Sequence, residues 1–165
     1  MFNGLEIQGV ATPPPTATLI NAGGAATGAY AADEDFSGGG TYVPGTIVTV
    51  PANLANAAPA AVYEDARQGV FTYTINGLGA GTSHTVTLHF AELYFTTTGQ
   101  RVFNVAINGT TVLPNFDIVA AAGGHPLTAV VEQFPNIIAN SSGQIVISFT
   151  IGTHDQPMFN GLVVQ

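Results

Sequence analysis

The side chains best suited to chemistry fall in two short runs. Tyr94 and Phe95 stand together where an alternating run ends, and aromatic rings at a strand end can form a flat apolar platform open to solvent. Beside them, Glu92 shares the parity of Leu88 and Phe90 and so points to the core. A buried carboxylate needs a cation, and Arg101 across the next turn is the candidate; a bulge that turns Glu92 outward is the alternative. The second run, YAADEDFSGGGTY from Tyr30 to Tyr42, sets Asp33, Glu34 and Asp35 against a glycine triplet. Asp33 and Asp35 with backbone oxygens can wrap a calcium ion, although the spacing fits no EF-hand, and a solvated loop explains the same residues.

Catalytic patterns are missing. The chain has no G-x-S-x-G elbow, and its acids are clustered or scattered, without a recognisable pair for glycosidic cleavage. His89 and Glu92 are three apart on a strand, point to opposite faces, and so cannot chelate one zinc ion locally. Both read as structural. Asn108-Gly109-Thr110 and Asn140-Ser141-Ser142 match the N-glycosylation pattern, which has meaning only in a eukaryotic secretory pathway, and hairpin-turn chemistry is the plainer account of both.

The elements that must hold these residues are strands. HTVTLHFAELYFTTTGQRVFNVAING, His84 to Gly109, reads as two neighbouring strands joined by a Thr/Gly turn. Val86, Leu88 and Phe90 alternate with Thr85, Thr87 and His89, and Phe103, Val105 and Ile107 alternate likewise, giving one apolar and one mostly polar face. Further strands are expected at Leu19–Asn21, Gly45–Val50, Val70–Ile75, Asn115–Val119, Leu127–Ile138, Gly143–Thr150 and Met158–Gln165, with a loop or one helical turn over Asn53–Pro59. A chain of 165 residues, 46% hydrophobic, with 20 glycines and 10 prolines, suits one compact all-β domain. A β-sandwich of two antiparallel sheets and about ten strands is expected.

Charge narrows the partners. Only 7% of residues are charged, the net charge is −8, lysine is absent, and Arg67 and Arg101 are the only cations. Phosphate neutralisation is therefore out of reach, which argues against nucleic acid and anionic lipid, and no apolar run is long enough to span a membrane, which argues against insertion. Neutral ligands fit. Cysteine is absent, so neither disulfides nor thiol chemistry enter.

Several blocks resemble malectin and malectin-like domains: INAGG from Ile20, VYEDAR from Val62, FAELYF from Phe90, GQRVFNVAINGT, NFDI, and HDQPMFNGLVV from His154. The resemblance spans nearly all of Leu19 to Gln165. It implies a jelly-roll β-sandwich that binds neutral, glucose-containing or related glycans without catalysis, outside the cell or at its surface. By position it assigns sugar contacts to Tyr94, Phe95 and Asp155, and makes Tyr42, near the family's glycine-rich loop, a further ring contact. The chemistry is consistent, since pyranose C–H groups stack on aromatic faces and a carboxylate accepts paired hydroxyl hydrogens. One position departs: where the family has a tyrosine after the arginine of VYEDAR, this chain has Gln68, which can hydrogen-bond a hydroxyl but offers no ring.

The ends of the chain repeat one another. MFNGLEIQ at Met1–Gln8 matches MFNGLVVQ at Met158–Gln165 in six of eight positions. Residues 1–8 then read as the last strand of a preceding repeat, 9–18 (with Pro13, Pro14 and Pro15) as a semi-rigid linker, and 19–165 as the domain. This implies neighbouring copies of the chain as partners, as in a tandem array, stalk, adhesin or filament joined by strand exchange; a spare copy of the strand is the plainer alternative.

Overall fold

The structure is a computed structural model that describes residues 17–165. Met1–Gln8 and most of the proline-rich linker lie outside the described residues. Among the described residues ten strands form: β1 Thr18–Asn21, β2 Phe36–Tyr42, β3 Ala66–Ile75, β4 Ser83–Phe90, β5 Val102–Ile107, β6 Thr110–Phe116, β7 Val130–Ile138, β8 Ile145–His154, β9 Met158–Phe159 and β10 Gly161–Val164. Two short helices, α1 Ala60–Tyr63 and α2 Ile118–Ala121, sit in the connections. The strands make two antiparallel sheets, ordered β1-β10-β4-β7 and β2-β3-β8-β5-β6, with β9 pairing on β3. The all-β sandwich expected from composition and alternation is therefore the fold.

Alternation decides what fills the space between the sheets. Phe71, Tyr73 and Ile75 of β3, Ile145, Ile147 and Phe149 of β8, and Phe103, Val105 and Ile107 of β5 point inward, each no more than 2% exposed. Val86, Leu88 and Phe90 of β4 meet them from the opposite layer and are fully buried. Phe71 stacks on Phe149 with centroids 4.4 Å apart, and Phe159 lies 4.6 Å from Phe149. Burying such rings contributes roughly 2–3 kcal/mol each, so the aromatic seam is the main apolar store of the domain.

Several sequence expectations change. β4 and β5 are not a paired hairpin: β4 lies between β10 and β7, whereas β5 lies between β8 and β6 in the other sheet. Their apolar faces still meet, with Phe90 and Phe103 centroids 6.2 Å apart, because alternation specifies an inward face but not which sheet a strand joins. The connection between them therefore crosses the rim of the sandwich. The outer face of β4 is polar yet covered, with Thr87 and His89 at 3% and 0% exposure. Thr18 already pairs with Val164, so β1 begins one residue before the expected Leu19. Gly45–Val50 is not a strand; Pro44 and Pro51 bracket it, Gly45 has φ +70°, and only Thr49 bridges to Thr128. Ile118 and Val119 begin α2 instead of ending a strand, because Asp117 caps that helix through Ala120 N, 3.1 Å away. Asn53–Pro59, expected as a loop or one helical turn, is a loop, and the helical turn α1 follows it. The closing strand is divided at Asn160 into β9 and β10, which belong to different sheets.

Candidate functional site

The rim crossing between β4 and β5 is fixed by one buried ion pair. Glu92 and Arg101 are 1% and 4% exposed, and Arg101 Nε donates to Glu92 Oε2 at 2.6 Å. Parity had placed Glu92 inward with Arg101 as its partner, and no bulge is needed. The remaining carboxylate oxygen organises the chain that follows: Glu92 Oε1 accepts the backbone N–H groups of Tyr94 and Phe95, both at 3.0 Å. Charge-assisted bonds of this kind hold a backbone more firmly than neutral ones. Downstream, Thr97 N and Oγ1 both donate to Gln100 Oε1, at 3.2 and 2.8 Å, which closes the Thr/Gly turn.

Arg101 also reaches the opposite side of the rim. Its Nη1 donates to the Gln156 carbonyl at 2.5 Å and lies 3.7 Å from Asp155 Oδ2. Asp155 sits in the tight turn between β8 and β9 with φ +55°, a left-handed conformation that aspartate tolerates, and its Oδ1 accepts Gln156 N at 2.7 Å. One guanidinium thus joins the aromatic crossing to the loop that carries the acid.

These parts enclose a cleft of about 240 Å³ lined by Tyr42, Gln68, Tyr94, Arg101, Asp155 and Gln156. Tyr94 is 65% exposed, and its ring stands edge-on to Tyr42, 6.4 Å between centroids, and to Phe95, 4.9 Å away. Phe95 is half-buried and lies under the Arg101 guanidinium at 5.0 Å, so it backs Tyr94 and does not line the cleft. Gln68 enters from β3, where it pairs with Gly40 on one side and Met158 on the other. Four of the five expected ligand residues thus face one opening, with Phe95 behind them. Arg101 and Gln156 join the lining. Arg101 had signalled itself as one of two cations; Gln156 had no distinguishing signal.

The acidic loop is tied to β3 through Asp33. Asp33 Oδ2 accepts Arg67 Nε and Nη2 at 2.9 and 2.6 Å, and Oδ1 accepts the Tyr73 hydroxyl at 2.7 Å. Asp35 is exposed with φ +58°. Among the described residues, no three His, Cys, Asp or Glu side chains are grouped as a metal cluster. The glycine triplet has a steric explanation, since it forms a bulge between Gly38 and Gly40. At Gly39, φ is +68° and a β-carbon would stand 2.7 Å from the Gln68 carbonyl oxygen.

On the outer face of β4, His89 is fully buried between two tyrosines, with Tyr63 Oη 3.0 Å from Nδ1 and Tyr30 Oη 3.3 Å from Nε2. Burial lowers its pKa to about 4, and burial raises that of Tyr63 to about 12. Both are neutral at pH 7 and part of the scaffold. Asn108, in the β5–β6 hairpin, has φ +49°, as the turn requires, and its side chain ties the turn to distant strands, donating to the Ile138 carbonyl and accepting Val146 N, both at 2.9 Å.

A sequence profile described as the malectin domain matches residues 16–162. The chain belongs to the malectin family. Kinesin-like protein KIN-14E of Oryza sativa subsp. japonica is 29% identical over 156 residues, 89% of this chain and 14% of that protein. Malectin-B of Xenopus laevis is 28% identical over 93 residues, half of this chain and 33% of that protein. The chain therefore spans a third or less of the length of these curated relatives. Among solved structures, the extracellular domain of ANXUR2 from Arabidopsis thaliana superposes with a TM-score of 0.75 at 21% identity, covering 89% of this chain and 47% of that one. As a malectin domain, the chain is a module of the carbohydrate-binding type.

Proposed function

We propose that this malectin domain binds a neutral glycan in the rim cleft, without catalysis, outside the cell or at its surface. The observation that carries the reading is convergence. The exposed Tyr94 ring, the Gln68 amide and the Asp155 carboxylate face one opening of about 240 Å³, and the buried Glu92–Arg101 pair fixes the loops that present two of them. A sugar ring placed there stacks on Tyr94, with Tyr42 at right angles to it, while Asp155 and Gln68 accept and donate to hydroxyl groups. The volume suits one or two sugar rings and falls just below the range of about 300–1,000 Å³ usual for small-molecule pockets.

The non-catalytic part rests on counting carboxylates. Glycosidases set two carboxyl groups about 5–9.5 Å apart across the bond to be cut. Among the residues lining this cleft only Asp155 is acidic, and both Glu92 oxygens are occupied by Arg101 and backbone N–H groups. Calorimetric titration with neutral gluco-oligosaccharides tests the reading. Saturable heat whose affinity falls about 5–30-fold in Tyr94→Ala supports it, and binding unaffected by that change would send the ligand elsewhere.

A second reading, favoured by the duplicated MFNGL segment, makes the domain one repeat of an extracellular tandem array or filament. It is compatible with sugar binding, because the cleft lies at the rim and the copy at Met158–Val164 lies within the sheets.

A further inference from the structure

The segment Met158–Val164 holds the two layers together. Phe159 and Met158 pair with Arg67 and Gln68 of β3 in one sheet, and Gly161–Val164 then runs between β1 and β4 in the other. At the crossing, Asn160 is fully buried; its Oδ1 accepts Ala91 N at 2.7 Å and its Nδ2 donates to the Tyr63 and Asp65 carbonyls at 3.0 and 2.8 Å. At Gly161 a β-carbon would stand 2.5 Å from Val62 Cγ1 and 3.0 Å from the Ile20 carbonyl oxygen, so the place accepts glycine alone.

Set against this slot, Met1–Gln8 is more than a chance match. The residues with stringent requirements are kept: Met1, Phe2, Asn3, Gly4 and Leu5 stand for Met158, Phe159, Asn160, Gly161 and Leu162, and Met158, Phe159, Asn160 and Leu162 are fully buried. Ile7 replaces Val164, apolar for apolar. The one charge introduced, Glu6, corresponds to Val163, which is half-buried and borders a shallow depression lined by Asn56, Thr87, Gln133 and Gln165. Those neighbours include amides and a hydroxyl able to donate to a carboxylate. The differences fall where the slot tolerates them.

We infer that Met1–Gln8 is a second edition of β9–β10, able to occupy that slot in place of Met158–Gln165. Topology permits this within one chain. Val164 lies opposite Thr18 in the antiparallel pair, so Ile7 in its place leaves residues 8–17 to span the short gap back to Thr18, well within their reach. The chain holds two closing segments for one slot, and the spare one fits the same slot of another copy. Only this last step rests on the array reading; exchange within one chain does not.

The test uses the full chain. Asn3→Leu, Asn160→Leu and the double variant are compared with the parent by thermal and urea unfolding. Asn3→Leu is expected to leave the midpoint unchanged, Asn160→Leu to lower it slightly because the other copy takes over, and the pair together to abolish the cooperative transition. Equal losses for Asn160→Leu and the double variant would overturn the inference. A second measurement uses the lack of cysteine: in the Asn160→Leu background, Ile7→Cys with Thr18→Cys should form a disulfide. A bond within one chain or between two supports the proposal in cis or in trans, and persistent free thiols refute it.

Discussion

The two arginines of this domain occupy similar surroundings and do different work. Both are 4% exposed, both bond a carboxylate through Nε and Nη2, and both lie over an aromatic ring, Arg67 at 3.3 Å from Phe36 and Arg101 at 5.0 Å from Phe95. Arg67 is spent inward: Asp33 is saturated by it and Tyr73, and Nη1 ties down the Gly38 carbonyl at the bulge. Arg101 has one side on Glu92 and the other on the loop of Asp155, at the wall of the cleft. A buried ion pair adds little net stability over an apolar replacement, but removing one partner strands the other. The comparison therefore teaches that the same chemical unit serves closure in one place and presentation of ligand groups in the other.

Substitution separates the two roles. Arg101→Met leaves Glu92 buried without a cation, so a loss of about 3–5 kcal/mol in unfolding free energy is expected, together with loss of glycan binding in the remaining folded fraction. Urea unfolding and titration measure the two effects. Arg67→Met should cost a similar 3–5 kcal/mol by stranding Asp33, while glycan affinity of the folded protein stays within about twofold; a tenfold loss would mean that both knots present the site.

His89 sharpens the contrast, because it is buried without a counterion among the described residues. Its folded pKa, near 4, lies below the usual 6.5. Below pH 6.5 the unfolded chain takes up a proton that the folded chain refuses, so stability present above that pH is lost as pH falls toward 4. The loss amounts to about 3 kcal/mol at most. Urea unfolding at pH 7 and pH 4 measures it, and His89→Gln should flatten the slope. The smallest effect belongs to Tyr94→Ala, which should weaken glycan binding by about 1–2 kcal/mol and change stability by no more than about 0.5 kcal/mol, since the ring is 65% exposed.

Much of this was legible in the sequence, for identifiable reasons. Strict alternation in Val86, Leu88, Phe90 and in Phe103, Val105, Ile107 fixed the inward faces, and the same parity paired Glu92 with Arg101 across nine residues. The rim residues Tyr42, Gln68, Tyr94 and Asp155 came from family position, and their convergence needed the fold. What stayed hidden was non-local. Period-two patterning cannot say that β4 and β5 join opposite sheets, and nothing in the DED run announces that Asp33 meets Arg67, 34 positions away. Local propensity also failed at Gly45–Val50 and Ile118–Val119, where flanking prolines and the Asp117 cap override β-branched composition.

Placing both arginines in the interior has a consequence for degradation. Proteases of the trypsin type cut after lysine or arginine, and this chain offers only the bonds after Arg67 and Arg101, each held in a strand or a buried clasp. Digestion must therefore wait for opening of the domain, and the rate at which trypsin clips it becomes a direct clock for unfolding.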